Sequence, residues 1–451
     1  MEDCVATGGG PEVKHKLASL DKAPILAVGL VACLAGSALA FGGTEPLSWA
    51  AVGCAAFFLS LCVLWSQDAR HPRATWPWQG VALLLAYVGV QAAWVRPDGR
   101  AVEGQILRLL ASLSAFYVAL IVCRRAKPRR LLVLGLLALG LFEALYGLVQ
   151  YTSGRQQIFT YKKVFYTAQA TGTYINPNHF AGLLEMILPL SFALALEQLE
   201  RIGRARKAEL HRADRAYQSE DIATLVFFLF SSLLLFTAIL CSRSRAGLLC
   251  ASVGLAALTA AWMEGAWRRA RAALAMGCVL AGTVLLGLWV GLGPLTKRFE
   301  ELGRDYVARR DLWKDSLALI RIHPVLGSGP GTFMHAFTRV QSTFLDRTVD
   351  HAHNDYLEFA AEWGLPGAAL LFGLIFWLLA RAVSSCLRLL QPTERLVYLG
   401  SCGGIAALLL HSAADFNLQI PANALVFAAL LGVAYSSTYW ASTNAPPGGK
   451  P

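Results

Sequence analysis

Twelve stretches of about twenty mostly apolar residues recur along the chain, at 24–42, 46–65, 76–95, 104–123, 131–151, 178–197, 222–241, 246–263, 273–292, 362–380, 397–414 and 421–440. A helix needs about 20 such residues to cross the hydrocarbon of a bilayer. The spacing predicts an all-α integral membrane protein with about 12 transmembrane helices and one long loop at 293–361. Composition agrees: of 451 residues, 56% are hydrophobic and 15% charged, against about a quarter charged in soluble domains.

The formal net charge is +11. In a soluble chain that would suggest nucleic acid; here no nucleic-acid partner is expected. With the N-terminus inside, alternation delivers "SQDARHPR", "CRRAKPRR", "ERIGRARKAELHRADR", "WRRARA" and "RAVSSCLRLLQPTER" to the cytoplasm. These segments hold most of the basic residues outside the long loop, as the positive-inside rule requires of short loops. The opposite face receives charge-poor turns, the segment 152–176 and the loop 293–361. Both termini are expected in the cytoplasm. Ala38-Leu39-Ala40 resembles a signal-peptide cleavage site, but the polar segment before the first apolar run is long for a signal sequence. A retained first helix is expected. The ten cysteines show no C-x-x-C or metal-type spacing, and most, such as Cys54, Cys62 and Cys278, sit inside apolar runs. They read as small apolar residues, not a disulfide framework.

Polar interest collects on the external side. In "GTYINPNHFAGLL" (172–184), Asn176-Pro177 reads as an N-cap followed by proline at the first helical position. Asn178 and His179 fall in the first turn, facing the same side. In "CSRSRAGLL" (241–249), Arg243 and Arg245 sit between two apolar runs. Arginines there are costly unless they reach water or a counter-ion. They are either interfacial or bind an anion, for which guanidinium is suited. In "RRDLWKDSLALIRIHPVLGSGPGTF" (309–333), Trp313, Leu317 and Ile320 keep helical spacing, which predicts an amphipathic surface helix over 306–322. Gly327, Gly329 and Gly331 around Pro330 predict a tight turn, not a nucleotide loop, since no strand precedes them.

The densest cluster is "HAHNDYLEFAAEWGLPG" (351–367). On a helix beginning near 353, His351, Asp355, Glu358 and Glu362 share a face, and His353 lies above Leu357 and Ala360. The local chemistry fits a metal site, a general base with a carboxylate fixing its tautomer, or a polar helix cap. Glu358 and Glu362 read as cap residues, and "EWGLPG" as a bend. In "HSAADFNLQIPANALVF" (411–427), Asp415 and Asn417 read singly as parts of a plain turn before Pro421.

Taken in order, "GTYINPNHFAG", "SRSRAGLL", "RRDLWKDSLALIRIHPVLGSGPGTF", "HAHNDYLEFAAEWGLPG" and "DFNLQIPANAL" resemble the O-antigen ligase and Wzy-type polymerase superfamily over residues 170–430. The resemblance divides the chain into a tail (1–23), N-terminal helices (24–169), an O-antigen ligase-like domain (170–430) and a closing segment (431–451). It implies a multi-spanning, C-type glycosyltransferase of the bacterial inner membrane with a periplasmic active site. The implied donor is a glycan on undecaprenyl diphosphate. The implied acceptor is a hydroxyl of lipid A–core, of another glycan, or of a protein serine or threonine. No metal or other cofactor is implied.

Residue by residue, the resemblance makes His353 the catalytic base, followed by Asn354. It makes Arg245 and Arg309 the diphosphate-binding arginines, with Arg243 an additional candidate and Arg310 the alternative register for Arg309. His351, Asp355 and Asn178 support. A direct displacement would invert the anomeric centre. It needs a neutral imidazole, so activity is expected to fall below about pH 6.5. The reading from another class is a transporter of bicarbonate or a similar small anion. Polar groups gathered on one face, with unlike halves, argue against it, because transporter sites lie near the midplane between related repeats.

Overall fold

The computed structural model describes residues 22–66, 76–95, 99–209, 219–262, 302–342, 348–388 and 392–439, with isolated residues between 270 and 285. The tails, residues 278, 284 and 286–292 of the expected ninth span (273–292) and several of the basic loops lie outside the described residues.

Helices occupy the other expected spans. They are α1 (Ala23–Leu39), α2 (Pro46–Trp65), α3 (Trp76–Trp94), α4 (Gly99–Val122), α5 (Ala126–Ser153), α6 (Pro177–Glu209), α7 (Ser219–Ser242) and α8 (Arg245–Trp262). After the long loop's helix α9 (Leu302–Ile322) and the short α10 (Phe333–Phe337) come α11 (Asp355–Arg388), α12 (Pro392–His411) and α13 (Pro421–Tyr435). Among the described residues, eight helices are long and apolar enough to cross a membrane. The fold is therefore that of an all-α, multi-pass membrane protein. Its outer surface carries Leu47, Phe58 and Leu61 of α2, Leu145 and Val149 of α5, and Val226 and Phe230 of α7, all exposed. A surface so apolar requires lipid rather than water around it.

Helix α6 is the axis of the bundle, and its apolar residues from Phe180 to Leu196 are buried. Small residues on α12 and α8 let backbones close on it. A Cβ on Gly404 would lie 2.2 Å from the carbonyl oxygen of Met186, and one on Gly254 would lie 2.9 Å from that of Gly403. Glu143 of α5, fully buried, reaches the loop before α6 and accepts hydrogen bonds from the Thr173 amide (2.9 Å) and hydroxyl (2.6 Å). The same loop holds a hairpin of β1 (Gln157–Ile158) and β2 (Tyr161–Lys162), with Gln157 opposite Lys162.

Helix α9 forms where the spacing predicts one, with Ile320 buried and Trp313 half-buried as expected, but its buried side is shifted off Leu317. Leu317 is exposed, while Asp315, Ser316, Leu319 and Ile320 are buried. The reason is a polar anchor: the Asp315 carboxylate accepts hydrogen bonds from the Ser342 amide (2.8 Å) and hydroxyl (2.9 Å), which turns that side inward. The turn after α9 docks on a kink in α11. Gly327 and Gly364 both have positive φ (65° and 70°), and a Cβ on either would strike backbone of the other segment. Tyr87 of α3 ties the joint by donating to the carbonyls of Val325 and Trp363, each at 2.6 Å. The bend expected at "EWGLPG" is this kink.

Candidate active site

The first turn of α6 begins as its sequence predicts. The Asn176 side chain accepts the Asn178 amide at 2.9 Å and Pro177 opens the helix. This capping points the Asn178 side chain out of the helix end, where its amide donates to Asp415 Oδ2 at 2.5 Å. Asp415 lies in the connection between α12 and α13 and is fully buried.

Helix α11 starts at Asp355, not near 353. Asn354 is the cap: its side-chain oxygen accepts the Leu357 amide at 3.1 Å, worth about 1 kcal/mol, and its amide donates to the Ala413 carbonyl at 2.9 Å. His353 precedes the cap in a left-handed conformation, φ 49°. That geometry costs about 1–2 kcal/mol for a residue with a Cβ. It takes His353 off the expected stack above Leu357 and Ala360, and aims its Nδ1 at Asp415 Oδ1, 3.2 Å away. The His353 side chain is 33% exposed, so it keeps a face to solvent.

Asp415 is the hub that the sequence did not reveal. Besides Asn178 and His353, the guanidinium of Arg309 lies 4.0 Å from its Oδ2 and His179 Nε2 lies 4.0 Å from its Oδ1. The Phe416 amide donates to Oδ1 at 2.9 Å. Burial pushes a carboxyl pKa up, but the hydrogen bond with His353 and the surrounding histidines override it and hold Asp415 well below the usual carboxylate range. An ionised Asp415 can only accept. In this contact the His353 Nδ1 is then the donor, and Nε2 is turned away from Asp415. Reading Asp415 as part of a plain turn is thus corrected. Its one sequence signal was an acidic residue at an otherwise apolar helix end.

Phe416 is the floor of the site. His351 stacks on it at 4.0 Å, while His353 and His179 meet it edge-on at 4.9 and 4.5 Å. His351 Nδ1 lies 2.7 Å from Glu358 Oε1. Burial alone would lower its pKa, but the Glu358 carboxylate raises it to about 9. His351 is therefore a cation at neutral pH and not a competing base. Glu358 also accepts the Ala352 amide at 2.8 Å, and Glu362 accepts the amides of Gly331 and Phe333, both at 2.9 Å. These glutamates shape the loop, as cap residues should. Asp355 is buried under the site: it receives the Leu418 amide on Oδ2 at 3.0 Å and donates its own amide to Ser412. A second buried pair, Glu185 Oε1 and His411 Nδ1 at 3.0 Å, lies beneath it and was not singled out from the sequence.

The arginines separate. Arg309 faces Asp415, whereas Arg310 pairs with its neighbour Asp311 at 3.1 Å. Arg245 opens α8, and Gly247 beside it packs so closely on Ala181 that a Cβ there would lie 2.6 Å from the Ala181 Cβ. Arg245 and Asn178 thus occupy adjoining helix starts. Arg243 turns elsewhere: it has φ 58° and its guanidinium lies over the ring of Tyr151, 5.6 Å from the centroid. Among the described residues, no three or more His, Cys, Asp or Glu side chains are grouped to hold a metal ion.

Below the site lies an apolar cleft walled by α2, α3, α4, α11 and α13. Leu418 and Gln419, immediately after the hub, line its upper edge.

Residues 230–372 match the family model described as O-antigen ligase. That stretch contains Arg245, Arg309, His351, His353, Asn354 and Asp355, while Asn178 and Asp415 come from outside it. No curated protein matches the chain. The match over residues 230–372 supports the resemblance to the O-antigen ligase and Wzy-type polymerase superfamily, in a chain whose helices are those of a multi-pass membrane protein.

Proposed function

We propose that the protein transfers a glycan from a polyprenyl-diphosphate carrier to an acceptor hydroxyl on the periplasmic face of the bacterial inner membrane. The observation that carries this reading is the His353–Asp415 pair with Arg309 beside it, at the end of a lipid-facing bundle that carries an O-antigen ligase domain. The acceptor hydroxyl approaches the exposed side of His353. Its oxygen attacks the anomeric carbon as the carbon–oxygen bond to the diphosphate breaks. The hydroxyl proton passes to His353 Nε2, and Asp415 stabilises the imidazolium that forms. Arg309 and Arg245 neutralise the departing polyprenyl diphosphate, an electrostatic role that leaves little for a general acid to do. A single displacement inverts the anomeric centre. His351, held cationic by Glu358, adds positive potential on the same floor. Asn178 and Asp355 position the hub, and Arg243 serves packing against Tyr151.

The apolar cleft supports transfer over transport. It adjoins the site at Leu418 and Gln419, and its lining is almost wholly apolar, which suits a lipid chain. A small-anion pathway would instead run between related halves near the midplane.

The testing experiment is transfer by the purified chain from a polyprenyl-diphosphate-linked glycan to lipid A–core, to the same glycan, or to a serine- or threonine-bearing protein. A product with lipid A–core assigns a ligase, an extended glycan a polymerase, and a modified protein an O-oligosaccharyltransferase. Absence of all three, with uptake of bicarbonate into vesicles, would replace this reading with the transporter.

A further inference from the structure

One guanidinium lines the apolar cleft. Arg108 is on α4, and its neighbours in the cleft wall include Trp49, Val52, Leu109 and Leu425. The guanidinium lies over the Trp49 ring, 5.3 Å from its centroid. Its Nε is buried without a hydrogen-bond partner, and among the described residues the side chain makes no ion pair. The carboxylate whose field reaches it is Glu362. Both oxygens of Glu362 are already taken by the amides of Gly331 and Phe333. A cation beside hydrocarbon with no carboxylate in contact with it is costly, and an aromatic face offsets only part of that cost. Such an arrangement suits an arriving anion that brings its own apolar chain.

The position relative to the site narrows the choice. One turn before Arg108, Gln105 donates to the side chain of Gln419 at 2.9 Å. Gln419 follows Leu418, whose amide is bonded to Asp355 beneath the His353–Asp415 pair. The polar edge of the cleft is therefore the wall of the candidate active site. Bulk phospholipid has no need of that continuity, but a lipid whose head must reach the site does.

We propose that Arg108 binds the phosphate joined to the isoprenoid chain of the lipid carrier, with that chain lying in the cleft. The assignment rests on the transfer reading above and adds a carrier-binding residue from outside the O-antigen ligase domain. Arg108 acts on binding and positioning of the carrier, not on the reacting carbon.

The test is native mass spectrometry of the full-length protein with polyprenyl monophosphate, the uncharged polyprenol of equal length, and phosphatidylglycerol. The wild type is expected to bind polyprenyl monophosphate at least about tenfold more tightly than polyprenol, the size of one charge-assisted contact. Arg108→Gln should erase that preference and Arg108→Lys should keep most of it. His353→Ala should bind as the wild type does while transferring nothing. Equal binding of phosphate and alcohol by the wild type overturns the assignment without any variant having to fold. So does an Arg108→Gln protein that keeps the preference, or one that loses phosphatidylglycerol to the same degree. A phosphate preference dependent on Arg108, in a protein whose His353→Ala variant still transfers glycan, would sink the transfer mechanism and leave this site standing.

Discussion

The Nδ1 of His353 lies 3.2 Å from Oδ1 of Asp415, a residue 62 positions later in the chain. The left-handed turn at His353 and the burial of Asp415 serve the same contact. Removing either partner therefore tests the pair. Asp415→Asn keeps the shape of the hub but not the charge that fixes the histidine tautomer. We expect transfer to fall about 10²–10⁴-fold, the usual worth of a positioned acid–base group, with KM for the donor little changed. His353→Ala should fall at least as far. The double variant should be no worse than His353→Ala, because the two act as one unit. Steady-state transfer assays check this, and a wild-type rate for Asp415→Asn would remove Asp415 from the mechanism.

Arg309 and Arg310 are neighbours in sequence but not in their contacts. Arg309 faces Asp415 at 4.0 Å and Arg310 pairs with Asp311 at the surface. Arg309→Gln should lower kcat/KM by about tenfold or more, the scale of one charge-assisted contact. Arg310→Gln should stay within about twofold, since exposed ion pairs contribute little. Equal losses in the two variants, measured side by side, would contradict the register.

His351 predicts a pH dependence of stability. Its pKa in the folded protein is raised from 6.5 to about 9 by Glu358. A group raised in this way contributes stability that is full below the unfolded value and is lost as pH rises through the folded one. The thermal midpoint should therefore decline between about pH 6.5 and pH 9. In Glu358→Gln that decline should be reduced or absent. A midpoint that is flat over this window in the wild type would show that the pair does not form. Asp415 has the opposite sign: its lowered pKa contributes stability above the ordinary carboxylate range, lost only under strong acid.

The joint between the long loop and α11 depends on Gly327. Its φ is 65°, and a Cβ would lie 2.2 Å from the Glu362 carbonyl oxygen. Gly327→Ala combines left-handed strain of about 1–2 kcal/mol with a backbone collision, so a loss of at least about 2 kcal/mol is expected. Size-exclusion and thermal melting in detergent measure it. Gly373→Ala, where a Cβ meets nothing within 4 Å, is the control and should melt like the wild type.

Local chemistry was legible along the chain. Apolar length marks where helices lie, Asn176-Pro177 marks where α6 begins, and the glycines around Pro330 mark a turn, because each depends on residues close in sequence. His353 stood out for the same reason, as a polar group at a helix end in an apolar chain, whereas Arg309 and Asn354 were singled out by the family resemblance. Helix faces were less secure. Leu317 kept helical spacing with Trp313 and Ile320, yet it is exposed while the polar Asp315 is buried.

What only the tertiary structure decided is which polar groups lose their water together. Asp415 and an ordinary solvated turn aspartate have the same sequence signature. Packing of α6, α11 and the α12–α13 connection buries Asp415, and burial makes its contacts with Asn178, His353 and Arg309 strong. The same packing set Arg108 over Trp49 in an apolar cleft and turned Arg243 to Tyr151. Periodicity encodes which residues leave water for the bundle; the meeting of side chains from distant helices, and the desolvation that sets their charges, exists only once the bundle has closed.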